Sequence, residues 1–223
     1  MIKVDLHLHT HFSGDSDITF EQISERCQKL GLGAIAITDH GTAKGALELS
    51  RQKFTCKLIV GEEVASSEGE IIGLFLNESI PNGLSPEETI RRIHSQGGLA
   101  CIPHPFDRYR SSAMQVSTLE RIVDQIDIIE AFNARTIPFM QNLKLPEKFA
   151  RQHHIPIGAG SDAHSKMEIG RAYITIPDFN TCDEFKQSIL QSTVFGKRPN
   201  ITVFYRSLLR RLKKKYKRKA SAI

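Results

Sequence analysis

The sequence predicts an α/β barrel, and three observations carry that reading. Apolar runs of strand length alternate with stretches of helical periodicity along most of the chain. The alternation repeats often enough to favour a closed, mainly parallel barrel over an open sheet. His, Asp and Glu residues then fall at the C-terminal ends of successive strand candidates, where barrel enzymes place their chemistry.

Taken in order, strands are expected over residues 3–10, 34–38, 57–60, 98–102, 127–132, 155–159 and 172–176. The first begins Asp5-Leu6-His7-Leu8-His9, whose alternation gives a strand with one ligating face and one apolar face. Helical patterns occupy 19–30, 43–52, 85–96, 117–123, 144–153 and 182–191. Thr19 with Gln22, and Ser85 with Glu88, have capping-box spacing, while Gly31 and Gly97 sit where helix ends need a left-handed residue. The hairpin-like piece 64–76, around Glu68-Gly69, reads as an irregular insertion.

With 223 residues, 40% of them hydrophobic, the chain can bury one large core. The barrel is expected over residues 1–199, followed by a basic tail over 200–223. No apolar run approaches the roughly 18 residues of a membrane span, and Met1-Ile2-Lys3-Val4-Asp5 lacks the apolar stretch of a secretion signal. Cys27, Cys56, Cys101 and Cys182 are scattered without a paired motif, as expected for reduced cysteines of a cytoplasmic protein. The net charge of +5 is unevenly spread. Nine Lys and Arg, and no acid, lie between Arg206 and Lys219, leaving 21 basic against 25 acidic residues elsewhere. Tyr205, Leu208, Leu209, Leu212 and Tyr216 recur at helical steps there, so a short basic amphipathic helix is expected. Its apolar stripe suits packing on the barrel, and its basic face suits nucleic acid or an anionic membrane surface.

The strand ends supply the chemistry. His7 and His9 are followed by Asp15, then Asp39-His40, Glu63, His104, Glu130 with Asn133, and Asp162 with His164. Imidazole and carboxylate together suit Zn, Mn or Fe. The set is too large for one tetrahedral ion, so two or three divalent metal ions are expected.

His7-Leu-His9-Thr, Ser13-Gly-Asp15, Ile37-Thr-Asp39-His40-Gly, Gly61-Glu-Glu63, Ile102-Pro-His104-Pro, Glu130-Ala-Phe-Asn133 and Gly160-Ser-Asp162-Ala-His164 occur in one order. Together they resemble the PHP (polymerase and histidinol phosphatase) family, from about residue 2 to 199. The resemblance implies a distorted (β/α)7 barrel with a trinuclear metal site and phosphoesterase activity. Carried over motif by motif, it implies His7, His9, Asp15, His40, Glu63, His104, Asp162 and His164 as metal ligands. Gly69-Glu70-Ile71-Ile72-Gly73 resembles a stretch in which family members often carry a histidine, and this chain has Glu70 in that place.

On that basis the expected activity is hydrolysis of a phosphate ester by a metal-activated hydroxide, on a nucleotide, an oligonucleotide or a small phosphorylated metabolite. Glu63 is the expected bridging carboxylate, Asp39 orients a ligand, and His164 is a proton donor to the leaving group. Arg108, Arg135 and Arg171 lie near the motifs and are the candidate phosphate-binding cations. Two competing readings are weighed: an amidohydrolase-type barrel, which would use a bridging lysine, and an RNA-binding scaffold of the same fold without catalysis. No lysine stands at a strand end, whereas Glu63 does, and the full ligand set disfavours a scaffold.

Overall fold

The protein is described here by a computed structural model, which covers residues 1–107, 109–136 and 144–197. Arg108 and the tail from residue 200 onwards, with its expected helix, lie outside the described residues.

Seven strands form the barrel: β1 (Ile2–Leu8), β2 (Leu32–Ile37), β3 (Lys57–Ser66), β4 (Gly69–Leu74), β5 (Leu99–Ile102), β6 (Ile128–Asn133) and β7 (Ile157–Gly160). They pair in chain order from β1 to β7. The ring closes where Asp162 N donates to His7 O (2.7 Å) and His9 N donates to Ala163 O (3.1 Å). The pairings are parallel except on both sides of β4, which runs antiparallel to β3 and β5.

That strand corrects the expected insertion over 64–76. β3 and β4 form a hairpin with Ser66 opposite Gly69, and β4 supplies a full barrel position, with Ile72 and Leu74 buried in the interior. The expected seventh strand near residue 172 exists as β8 (Ala172–Ile176), but it pairs antiparallel with Ile2–Val4 at the start of β1. It pairs antiparallel with β9 (Thr193–Gly196), and its Ala172, Ile174 and Ile176 pack into the interior cluster.

Helices cover the outside: α1 (Phe20–Leu30), α2 (Lys44–Ser50), α3 (Pro86–Ser95), α4 (Val116–Arg121) and α5 (Leu145–Gln152). Helix α1 starts on the complete Thr19–Gln22 capping box and stops at Gly31, φ 63°. Ser85 caps α3 by accepting from Glu88 N, and Gly97 follows that helix at φ 76°. α6 (Cys182–Ile189) places Phe185 and Ile189 in the interior cluster, closing the barrel end away from the histidines.

One irregularity in β1 decides what faces the mouth. Between Asp5 and Leu8 the register with β2 shifts, as at a bulge. As a result Leu6 packs inside with Val4, Ala34 and Ala36, whereas Leu8 packs outside with Ile35, Ile37 and helix residues such as Ile23 and Leu49. The expected single apolar face of Leu6 and Leu8 is therefore split between two layers. His7 and His9 both remain on the mouth side.

Candidate metal centre

The side chains brought to the mouth come from the ends of β1, β2, β3, β5 and β7. His7 and His9 close β1, with Asp15 after the 3-10 turn His11–Ser13; His40 follows β2 and bridges to Glu63 of β3; His104 follows β5, and Asp162 and His164 follow β7. All eight residues implied by the family resemblance lie in one cluster. Glu63 is its hub: Oε1 lies 3.1 Å from His104 Nε2 and 3.5 Å from His7 Nε2, and Oε2 lies 2.8 Å from His40 Nδ1 and 3.4 Å from His9 Nε2. Asp162 Oδ1 is 3.4 Å from His9 Nε2, and Asp15 Oδ2 is 3.1 Å from His164 Nε2. His11 takes no part; its ring lies against Phe12 and Phe20.

The cluster is prepared for cations by what stands behind it. Asp39, fully buried, accepts from Thr10 N at 2.6 Å, Thr10 Oγ1 at 2.7 Å and Ser13 Oγ at 2.7 Å. Because Ser13 spends its one proton on Asp39, its oxygen must accept from His9, so Nδ1–H of His9 donates to it at 3.0 Å. Likewise His7 Nδ1 donates to the Glu130 carboxylate at 3.0 Å. The inner Nε2 atoms of both histidines face each other only 3.0 Å apart, and in the neutral rings both are acceptors. Two lone pairs at that distance repel unless a proton or a cation lies between them.

A proton on His7 satisfies that pair, and the carboxylates that favour this proton would equally favour a cation. Burial opposes a charge on His7, but Glu63, Glu130 and Asp162 outweigh it and hold its pKa well above the ordinary value. His9, buried and facing His164 and His40, is held well below its own. His40 is pushed up to about 10, because Asp15 and Glu63 outweigh its burial. Asp162 is likewise kept ionised against burial by Arg110, Arg135 and His7. Three carboxylate oxygens of the cluster, Asp15 Oδ1, Glu63 Oε2 and Asp162 Oδ1, are buried without an aligned hydrogen bond. Imidazole nitrogens close to carboxylate oxygens, yet not aligned on them, are what a shared coordination centre requires. Three groups bring ligand atoms within 4.8 Å of one another: His7, His9 and Glu63; His9, His40 and His164; and His40, Glu63 and Glu70. The residues present therefore fit divalent ions.

Other residues near the cluster act from behind or beside it, and one of them, Arg110, carries no clear signal in the sequence. Glu130 stands at a strand end but acts behind the cluster, accepting from His7, from His104 N at 2.6 Å and from Asn133 Nδ2 at 3.0 Å. Arg110, two positions beyond the nominated Arg108, sends Nη2 to within 2.5 Å of Asp162 Oδ2. Asn133 Nδ2 approaches the same oxygen at 3.3 Å, so Oδ2 is occupied and Oδ1 is left facing the histidines. Arg135 reaches the cluster, with Nη1 3.3 Å from Asp162 O and in contact with His164. Arg171 touches it only indirectly: its N–H donates to Glu168 O at 3.1 Å, and Glu168 in turn accepts from His164 N at 3.0 Å. His104 and Asp162 both adopt left-handed backbone, φ 33° and 50°, a strain that concentrates at functional sites.

The model of the PHP domain matches residues 5–125, more than half of the chain. The chain belongs to the PHP family. A PHP-associated model matches residues 142–194, the span from before α5 into β9. MJ1587 of Methanocaldococcus jannaschii is 43% identical over 146 residues, which cover 60% of this chain and 82% of that protein. A two-domain protein of Bacteroides vulgatus containing a predicted PHP-like metal-dependent phosphoesterase superposes with a TM-score of 0.68 at 14% identity. The match covers 87% of this PHP chain and 64% of the Bacteroides protein, so this chain spans less than two thirds of its length. Endonuclease Q, solved with a 27-mer duplex carrying an abasic lesion at its active site, superposes at 0.66 and 20% identity, over 89% of this chain and 60% of that one. At these identities the two structures share the PHP fold. No helix among the described residues is long and apolar enough to cross a membrane.

Proposed function

We propose that this chain is a metal-dependent phosphoesterase that hydrolyses a phosphate ester of a nucleotide, an oligonucleotide end or another small phosphorylated metabolite. The observation that carries the reading is the facing pair of Nε2 atoms on His7 and His9, each with its outer N–H already committed to an acceptor. PHP membership and the phosphoesterase and nuclease descriptions of the structural neighbours support it.

In this reading His7, His9, Glu63, His104 and Asp162 hold a pair of ions, and Asp15, His40 and His164 hold a third. Bound ions of the Zn, Mn or Fe class lower the pKa of water to about 7 and neutralise phosphate oxygens. The protein supplies everything that fixes the geometry. Glu63 can bridge because its two oxygens face different imidazoles. Asp39, through Ser13, and Glu130 hold the His9 and His7 rings in the tautomers that present Nε2 inward. Arg110 and Asn133 hold Asp162 so that one oxygen stays available. Arg135, at the mouth in contact with His164, is placed to hold a phosphate oxygen. Arg108 and Arg171 complete the proposed set of phosphate-binding cations.

The test is a panel of phosphomonoesters and phosphodiesters offered to protein loaded with Mn, Zn or Fe, with elemental analysis of the same samples. Bound metal, together with hydrolysis that disappears in His9→Ala, supports the proposal. Metal-replete growth that yields empty protein, or undiminished hydrolysis in His9→Ala, rejects it.

A further inference from the structure

We propose that Glu70 is an additional metal ligand, which makes the His40–Glu63–Glu70 edge of the site oxygen-rich and biases it towards Mn over Zn. The inference rests on the metal-bound reading of the site and specifies which ion that site prefers.

The fold explains how a residue at the beginning of a strand comes to lie there. Parallel barrel strands deliver their last residues to the mouth. β4 runs the other way, so it delivers its first ones, and Glu70 is the second residue of β4. Glu70 pairs with Ala65 across the hairpin, and its N–H donates to Ser112 O at 2.9 Å, which fixes its backbone at the rim. The side chain is 14% exposed, and its Oε2 lies 3.3 Å from His104 Nε2.

The same nitrogen is 3.1 Å from Glu63 Oε1. A single N–H points along one direction and satisfies only one of two such carboxylates. On its other side, Glu63 Oε2 is buried without an aligned hydrogen bond. Ligand atoms of His40, Glu63 and Glu70 all fall within 4.8 Å of one another. Two carboxylates side by side beneath little water repel, and a cation between them turns that repulsion into attraction. A second carboxylate also changes which cation is preferred. Oxygen donors suit Mn, whereas imidazole and thiolate donors suit Zn.

The experiment uses the full chain, stripped of metal by chelation and retitrated with Mn, Zn and Co separately, by calorimetry and, for Co, by visible absorption. In Glu70→Gln and Glu70→Ala, Mn affinity is expected to fall by at least about tenfold, with a smaller loss for Zn. The Co absorption bands should intensify as the coordination number drops. Glu70→His should move the Mn-to-Zn preference towards Zn. Thermal melting of the metal-free variants, compared with wild type, separates these effects from misfolding. Were Glu70 only an acceptor for His104, Glu70→Gln would keep the wild-type Mn affinity and Co spectrum, and that result overturns the proposal. Wild-type protein that binds no metal defeats both readings. Wild-type protein that binds metal and hydrolyses phosphate esters, with Glu70→Gln indistinguishable from it, defeats this one alone.

Discussion

Asp39 separates a residue that positions a ligand from one that takes part in the chemistry. Its carboxylate is wholly buried and accepts three hydrogen bonds, two from Thr10 and one from Ser13. Burial pushes its pKa up, and the bonds from Ser13 and Thr10 only partly offset that. Asp39→Ala leaves three donors without an acceptor in a dry interior. At about 1–3 kcal/mol each and with incomplete additivity, the loss is about 3–6 kcal/mol. For a chain of this size that lowers Tm by about 10 °C or more. Asp39→Asn is the informative variant. Its amide oxygen still accepts from Thr10 N and Ser13 Oγ, and only the Thr10 hydroxyl loses its carboxylate, at about 1 kcal/mol. The protein should fold, with Tm lower by about 2–4 °C. The negative charge behind the Ser13–His9 chain is gone, however, so metal affinity should fall about 10–100-fold. Calorimetric metal titration, melting of the metal-free protein and kcat/KM at saturating metal read these three effects independently. Activity should recover as metal is raised. Full metal occupancy with lost turnover in Asp39→Asn would refute the positioning role and place Asp39 among the reacting groups.

Gly160 lies where an added Cβ would meet His7 Cβ at 2.1 Å and Glu130 Oε1 at 2.6 Å, so Gly160→Ala should destabilise the metal-free protein by about 1–3 kcal/mol or more and shift the His7 ring; a wild-type melting curve and metal titration would contradict the packing argument. Glu62, buried with Oε2 accepting from Ile80 N at 2.9 Å, has a pKa raised by burial to about 7 from an ordinary 4.5. A carboxyl whose folded pKa is raised weakens the fold as it ionises, so its penalty is absent below about pH 4.5 and complete above about pH 7. Glu62→Gln should therefore narrow the gap in Tm between pH 5 and pH 8, and an unchanged gap counts against the shift. Arg135→Ala and Arg171→Ala should raise KM more than they lower kcat if these side chains hold the substrate phosphate, and the opposite pattern would discard that role. Arg110→Met should weaken metal binding through Asp162 rather than raise KM, which a metal titration distinguishes from loss of a phosphate contact.

How much of this was legible from the residues follows from the range of the interactions involved. The helix starts and stops were readable because capping is local: Thr19 and Gln22 are three residues apart and satisfy each other. The cluster was readable because its members sit at the ends of parallel strands, where barrel topology gathers them. β4 escaped notice because nothing within residues 64–76 tells a barrel strand from a protruding hairpin; its partners, β3 and β5, include one that lies a helix further along the chain. Arg110 is not singled out by the sequence because the loop after His104 holds two arginines, Arg108 and Arg110, and only the path of the backbone selects the one that meets Asp162.

The order and chemical type of the residues around the mouth, and the alternation that makes a barrel, were written in the linear chain, since strand and helix periods and the needs of backbone caps act over a few residues. Folding in three dimensions settled three other matters: that one strand runs backwards and delivers Glu70 to the rim, that a bulge sends Leu6 inward and Leu8 outward, and that Glu130 stands behind His7. Each depends on contacts between segments distant along the chain, where register and hydrogen-bond satisfaction in the packed interior decide the outcome.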